Sequence, residues 1–266
     1  FSSRRRHTRY GRDWISDVCS SDLTLALASF AEAVASFERA RDVPGTVRVL
    51  HNTGLAHARA GSFEQAILGY TDCLRRADGA GLQPLPLTLN NLGLAHLHLG
   101  RLDEAGRALE KGLVLAGRVR GERDRGILLR SLGYLRLAER DLPGSRTALE
   151  EAQAIADRTG DRFAGAMARF GLAEADLEEG LLPRARAWLA QGLATAGLPL
   201  EAPVLVDGAL LQARLSRLTG QPSEALRWLA HVEAEAARAG NPYLAHHAAG
   251  ERLSLGPEHQ EASGFE

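Results

Sequence analysis

The stretch NTGLAHARAGSFEQA (residues 52–66) returns as NLGLAHLHLGRLDEA (91–105) and again as SLGYLRLAERDLPGS (131–145). Each copy runs from an amphipathic segment through a turn residue into a second amphipathic segment. The second segment carries a small residue, an apolar residue four on, and a small residue three further. That triplet extends through the chain as Ala33-Phe37-Ala40, Ala66-Tyr70-Cys73, Ala105-Leu109-Gly112, Ser145-Leu149-Ala152, Ala185-Leu189-Gly192 and Ala225-Leu229-Val232, at intervals of 33 and then about 40 residues. Spacing of i, i+4, i+7 puts all three on one helical face. The small residues let a neighbouring helix come close, and the large one fills the gap between ridges.

Five residues before most anchors stands a glycine, at Gly61, Gly100, Gly180 and Gly220, with Arg140 at the equivalent place. Glycine ends a helix in the left-handed conformation at no steric cost. Pro143, Pro183 and Pro222 then fall in the first turn of the next helix, where a missing N–H is harmless. The first helices of each pair are expected at Val47–Ala60, Pro86–Leu99, Gly126–Glu139, Ala166–Glu179 and Pro203–Thr219. Longer breaks are expected at 42–45, 78–86, 120–123, 159–161, 197–203 and 240–242. Asp161 and Asn241 read as N-caps, with Pro242 at the first helical position. Tyr243–Leu255 closes the array, and the tail from Gly256 to Glu266 is polar enough to fray.

The copies at 52–66, 91–105 and 131–145 resemble the tetratricopeptide repeat family. Its first helix carries a Leu-Gly pair, and its second carries Ala, then an aromatic residue or Leu, then Ala. The resemblance covers about residues 24–255. FGLAEADLEEGLLPRA (170–185) and ALLQARLSRLTGQPSEA (209–225) depart from it, with Ala173 or Ala213 where the family has glycine. The repeat, nearer 40 than 34 residues, is similar to the long repeats of bacterial MalT and LuxR-like regulators. The resemblance implies an all-α fold: a right-handed superhelical solenoid of antiparallel helix pairs.

Residues 1–23, FSSRRRHTRYGRDWISDVCSSDL, break the composition abruptly and resemble a translated sequencing-adapter artefact. At face value Arg4, Arg5, Arg6, Arg9 and Arg12 would make a basic arm. Without that segment, 27 basic residues face 30 acidic ones, so no global attraction to nucleic acid remains. The partner helix of Thr24–Arg41 would fall where this segment lies, so the natural protein is expected to continue upstream.

Cys73 becomes the only cysteine beyond residue 23, which excludes an intrachain disulfide and fits a reducing cytoplasm. It occupies an interhelical position and reads as a structural thiol. No apolar run of membrane-spanning length exists. No Gly-rich phosphate loop follows a strand. His51, His57, His96, His98, His246 and His247 form no i, i+4 pair, so they do not read as metal ligands. Glu150-Glu151 and Glu178-Glu179 read as solvated faces. Trp188 and Trp228, 40 residues apart, read as inter-repeat packing. No catalytic residue, cofactor or metal is expected, and the chain does not read as an enzyme.

What remains is the concave face, which in the family is lined by the first helices. By register the inward residues are Arg48, His51, Asn52, Arg59, Asn90, Asn91, His98, Arg130 and Tyr134. Met167, Phe170, Glu174, Glu178, Asp207, Arg214 and Arg217 follow. Asn52, Asn90 and Asn91 can donate to and accept from a peptide backbone. The expected partner is a protein or peptide, with no direct nucleic-acid or membrane contact and a possible homo-oligomer. The alternative is the sensor or oligomerisation region of a larger bacterial transcriptional regulator.

Overall fold

The computed structural model describes residues 20–83, 85–119, 121–198 and 205–255. Among them lie twelve helices and no strand: α1 (Ser20–Arg39), α2 (Val43–Arg59), α3 (Phe63–Gly79), α4 (Pro86–His98), α5 (Leu102–Arg118), α6 (Glu122–Ala138), α7 (Leu142–Thr159), α8 (Arg162–Glu178), α9 (Leu182–Ala196), α10 (Val206–Leu218), α11 (Pro222–Ala239) and α12 (Pro242–Leu253). The basic-arm reading of Arg4–Arg12 and the polar tail from Gly256 lie outside the described residues. α1 begins at Ser20, within the stretch set apart on composition.

The elements follow from the repeat. Gly61, Gly100, Gly180 and Gly220 take φ of +69°, +70°, +75° and +72°, and Arg140 takes +64° at the matching turn. α2, α6 and α8 start about a turn earlier than their apolar periodicity suggests, α2 and α8 because an aspartate caps them further upstream, while α4 starts at Pro86 as expected and α10 at Val206 where Pro203 was expected. Asp42, expected in a break, caps α2 by accepting a hydrogen bond from Gly45 N at 2.9 Å. Asp161 and Asn241 do the same for Ala164 N and Leu244 N, at 3.0 and 3.1 Å. A side-chain oxygen that satisfies one of the orphan N–H groups of a first turn stabilises a helix by about 1 kcal/mol.

The anchor triplets form the core. Ala66, Tyr70 and Cys73 are buried, as are Ser145, Leu149 and Ala152, and Ala225, Leu229 and Val232. Ala33 and Phe37 are only half-buried and Ala40 is exposed, because α1 has α2 alone packed closely against it among the described helices.

In the first three complete pairs the first helix presents a glycine to the large residue of the second. A Cβ on Gly54, Gly93 or Gly133 would meet Tyr70 Cε1, Leu109 Cγ or Leu149 Cγ at 2.6, 2.8 or 2.5 Å. The α8–α9 pair reverses this. Ala173 stands where the glycine would be, and Phe170 of α8 instead enters against Gly192 of α9, whose Cβ would lie 2.6 Å from Phe170 Cε1. The departure from the family pattern is thus a knob and a hole exchanged between partners.

Even-numbered helices touch one another along the array and form its inner row, while the odd-numbered ones from α3 onward form the outer row. Ion pairs tie the repeats together. Asp176, fully buried, accepts from Arg146 Nη2 at 2.7 Å and has Arg184 Nε at 3.4 Å, which joins α7, α8 and α9. Arg158 and Glu122 pair at 2.6 Å across α7 and α6. Cys73 is buried and donates to Val47 O at 3.3 Å. Trp228 is buried, with Trp188 against the same cluster.

Gly133→Ala is expected to lower stability by about 1–3 kcal/mol, since Leu149 has nowhere to retreat. Gly106→Ala, whose Cβ would be 3.6 Å from its nearest neighbour, Leu135 Cδ2, is expected to gain about 0.5–1 kcal/mol from restricted backbone freedom. Urea midpoints of the two variants should move in opposite directions.

Candidate concave binding face

The inner row repeats one position at 39- and then 40-residue intervals, and its chemistry changes along the array: Leu55, Leu94, Tyr134, Glu174, Arg214. A second stripe two turns N-terminal to it ends in Asp207 and His247. The first of these rows is therefore apolar at one end and charged at the other.

In α2, Arg48 and Asn52 are exposed and open to a partner. His51 is half-buried, with its Nδ1 2.9 Å from Thr88 Oγ1 and its ring 5.8 Å from that of Tyr70. Burial pushes this imidazole down from its ordinary range. Asn90 does not present its amide to the groove. It is only 2% exposed, its Nδ2 donates to Asn91 Oδ1 at 3.1 Å, and its own Oδ1 is buried without a hydrogen-bond partner among the described residues. Asn91 is half-buried. Asn90, expected on the inward face by register, is therefore covered.

Met167 and Phe170, also placed inward by register, are both buried. Phe170 turns into the α8–α9 seam, and Met167 offers its carbonyl to the Tyr134 hydroxyl at 3.2 Å. That bond holds Tyr134 in place, and burial pushes its phenol up from its ordinary range. Arg130, on the same helix, has a buried Nε without a hydrogen-bond partner among the described residues.

Two glutamates one turn apart on α8 behave in opposite ways. Burial raises Glu178, but Arg214 at 2.7 Å and Arg140 outweigh it and hold the carboxyl below its usual range. Among the described residues no guanidinium is hydrogen-bonded to Glu174, and Arg214 acts on it only through its charge. Burial pushes it up to about 7, with Asp207 and Glu178 adding to the rise and Arg214 opposing it. Asp207 is also raised, by the enclosure around it, against the pull of Arg130 and His247, although its carboxylate still reaches solvent. Arg217 pairs with Glu251 at 3.0 Å.

The array curls far enough for α12 to return to the first complete pair. Asn241 Nδ2 donates to Arg59 O, the last carbonyl of α2, at 3.2 Å. Tyr243 stands edge-on to Phe63 at 5.3 Å and to His98 at 4.5 Å, and Phe63 stacks on His98 at 4.4 Å. The His98 ring keeps an edge in water, yet the wall around it, and then His247, push it down to about 4. This junction had no signal in the sequence beyond the cap at Asn241. Among the described residues no group of three or more His, Cys, Asp or Glu could hold a metal ion, and no helix is long and apolar enough to cross a membrane.

No family model matches the chain, and no curated sequence does. Solved structures do. A Rap protein complexed with Competence and Sporulation Factor superposes with a TM-score of 0.66 over 90% of this chain and 73% of its own, at 12% identity. BtubC (BKLC) from P. vanneervenii gives 0.60 over 81% and 91%, at 17% identity. A tetratricopeptide repeat protein from Parabacteroides merdae gives 0.50 over 90% and 95%, at 15% identity. The fold is a tetratricopeptide-like solenoid. Identities this low speak to architecture alone, so the chemistry of the concave face rests on this chain's own residues.

Folding binds the Glu174 proton more tightly than the unfolded chain does, so stability is lost as pH rises from the ordinary carboxylate range through about 7. Glu174→Gln removes the charge. It is expected to raise Tm relative to wild type at about pH 8 and to have little effect at about pH 4.5. Thermal melts at the two pH values check this. An equal difference at both would mean that Glu174 titrates as an ordinary carboxylate.

Proposed function

We propose that the chain is a protein-interaction module whose concave face takes up a peptide or a partner helix. The observation that carries this reading is the inner stripe itself. Along a row that packing requires only to be helical, Tyr134, Glu174 and Arg214 replace leucines; burial favours the proton on Glu174, and one turn before Tyr134 the Arg130 Nε is buried without a hydrogen-bond partner among the described residues. Holding such groups away from bulk water costs stability, and a ligand that pairs with them recovers it. Arg48 and Asn52 extend the polar lining toward α2. The Rap protein, crystallised in complex with the Competence and Sporulation Factor, is a case of a similar architecture holding a bound factor.

A second reading takes this array as the sensor or oligomerisation region of a larger bacterial transcriptional regulator; what supports it is the repeat length near 40 residues, which resembles the long repeats of MalT and LuxR-like proteins. A contiguous gene that encodes a DNA-binding domain in frame with the array would establish it, and a gene without one would remove it.

Selection of random peptides on the immobilised full chain, followed by fluorescence anisotropy, tests the binding face. Combined Asn52→Ala, Arg130→Ala and Asp207→Asn should weaken the selected peptides by about tenfold or more, the equivalent of about 1.4 kcal/mol. Combined Arg107→Ala, Glu110→Ala and Lys111→Ala on the outer helix α5 should leave affinity unchanged. Equal affinity for both variants would remove the concave assignment.

A further inference from the structure

We propose that α12 is a strap that reversibly closes the array into a ring, fastened at its N-terminus to the α2–α3 turn and the end of α4. The inference is independent of what the concave face binds.

The fastening is local. Asn241 makes two bonds with different tasks: its Oδ1 accepts from Leu244 N and caps α12, while its Nδ2 donates to Arg59 O at the C-terminus of α2. The positive end of one helix dipole thus meets the negative end of another. Tyr243 adds its edge contacts with Phe63 and His98, and its ring lies 4.4 Å from His247. Opening the strap would give up the Nδ2 bond and the contacts of Tyr243 with Phe63 and His98, and would leave α12 capped by Asn241 Oδ1 and the neighbouring repeats packed.

The turn glycines provide an internal comparison. Gly61, Gly100, Gly180 and Gly220 share the same left-handed backbone, yet a Cβ added at Gly100, Gly180 or Gly220 would meet nothing within 4 Å. At Gly61 it would meet Asn241 Oδ1 at 3.0 Å, Pro242 Cδ at 3.2 Å and Tyr243 N at 3.5 Å. The α2–α3 turn is the one of these four against which another part of the chain is seated. Because the fastening joins residues 182 apart in sequence, it adds nothing to the stacking of neighbouring repeats. It sets the shape of the whole array and the width of the entrance to its interior.

Small-angle scattering of the full chain tests the strap with three variants. Asn241→Asp keeps the capping oxygen but turns a carboxylate oxygen toward the Arg59 carbonyl. Gly61→Ala inserts a methyl group into the junction. Gly220→Ala imposes the same backbone strain at a turn that touches nothing. Asn241→Asp and Gly61→Ala should raise the radius of gyration and move the pair-distance maximum outward, with far-UV circular dichroism unchanged. Gly220→Ala should scatter like wild type. Scattering identical to wild type for the first two variants, or an equal expansion in all three, would overturn the proposal. So would a wild-type profile already as extended as a ring opened at this junction.

Discussion

Everything in this array depends on how closely two helices of a pair can approach. Ridges of ordinary side chains hold helices about 8–10 Å apart, and four of the pairs here come together with one member offering a glycine to a large residue of the other. Tyr70 lies against Gly54, Leu109 against Gly93 and Leu149 against Gly133, and in the fourth pair Phe170 lies against Gly192. The exchange in that pair shows what is constrained: one vacancy and one filler per contact, on whichever helix they happen to lie.

Close packing leaves the inner row of helices free of structural duty on its concave side, and the residues there vary accordingly. Leu55 and Leu94 give way to Tyr134, Glu174 and Arg214 with no change of backbone. Glu174 and Glu178 show how finely the surroundings then decide the outcome. One turn separates them, and a pair of arginines holds one ionised while enclosure favours the proton on the other.

The repeat, the turns and the pairing were legible in the sequence because each is decided by residues within about 40 positions of one another and is stated several times over. Arg140 could be placed in a glycine's conformation from register alone. Helix starts were less legible, since Asp42 looks like loop composition until its carboxylate is seen to cap Gly45. Of the concave face, the row was readable and the depth was not. His51, Asn90, Arg130 and Phe170 occupy equivalent places, yet Asn90 is covered and Phe170 turns into its own pair, because neighbouring side chains decide burial. The meeting of Asn241 with Arg59 had no periodic signal at all, being made once.

A stacked array whose contacts are short in sequence has low contact order, and it can begin folding at any repeat and spread in both directions. The contact between Asn241 and Arg59 is of another kind, since it can form only after the intervening pairs have set the curvature that brings the ends together. It is therefore the last structure to form and the first to be lost, so the molecule's outline is decided at a later stage than its helices.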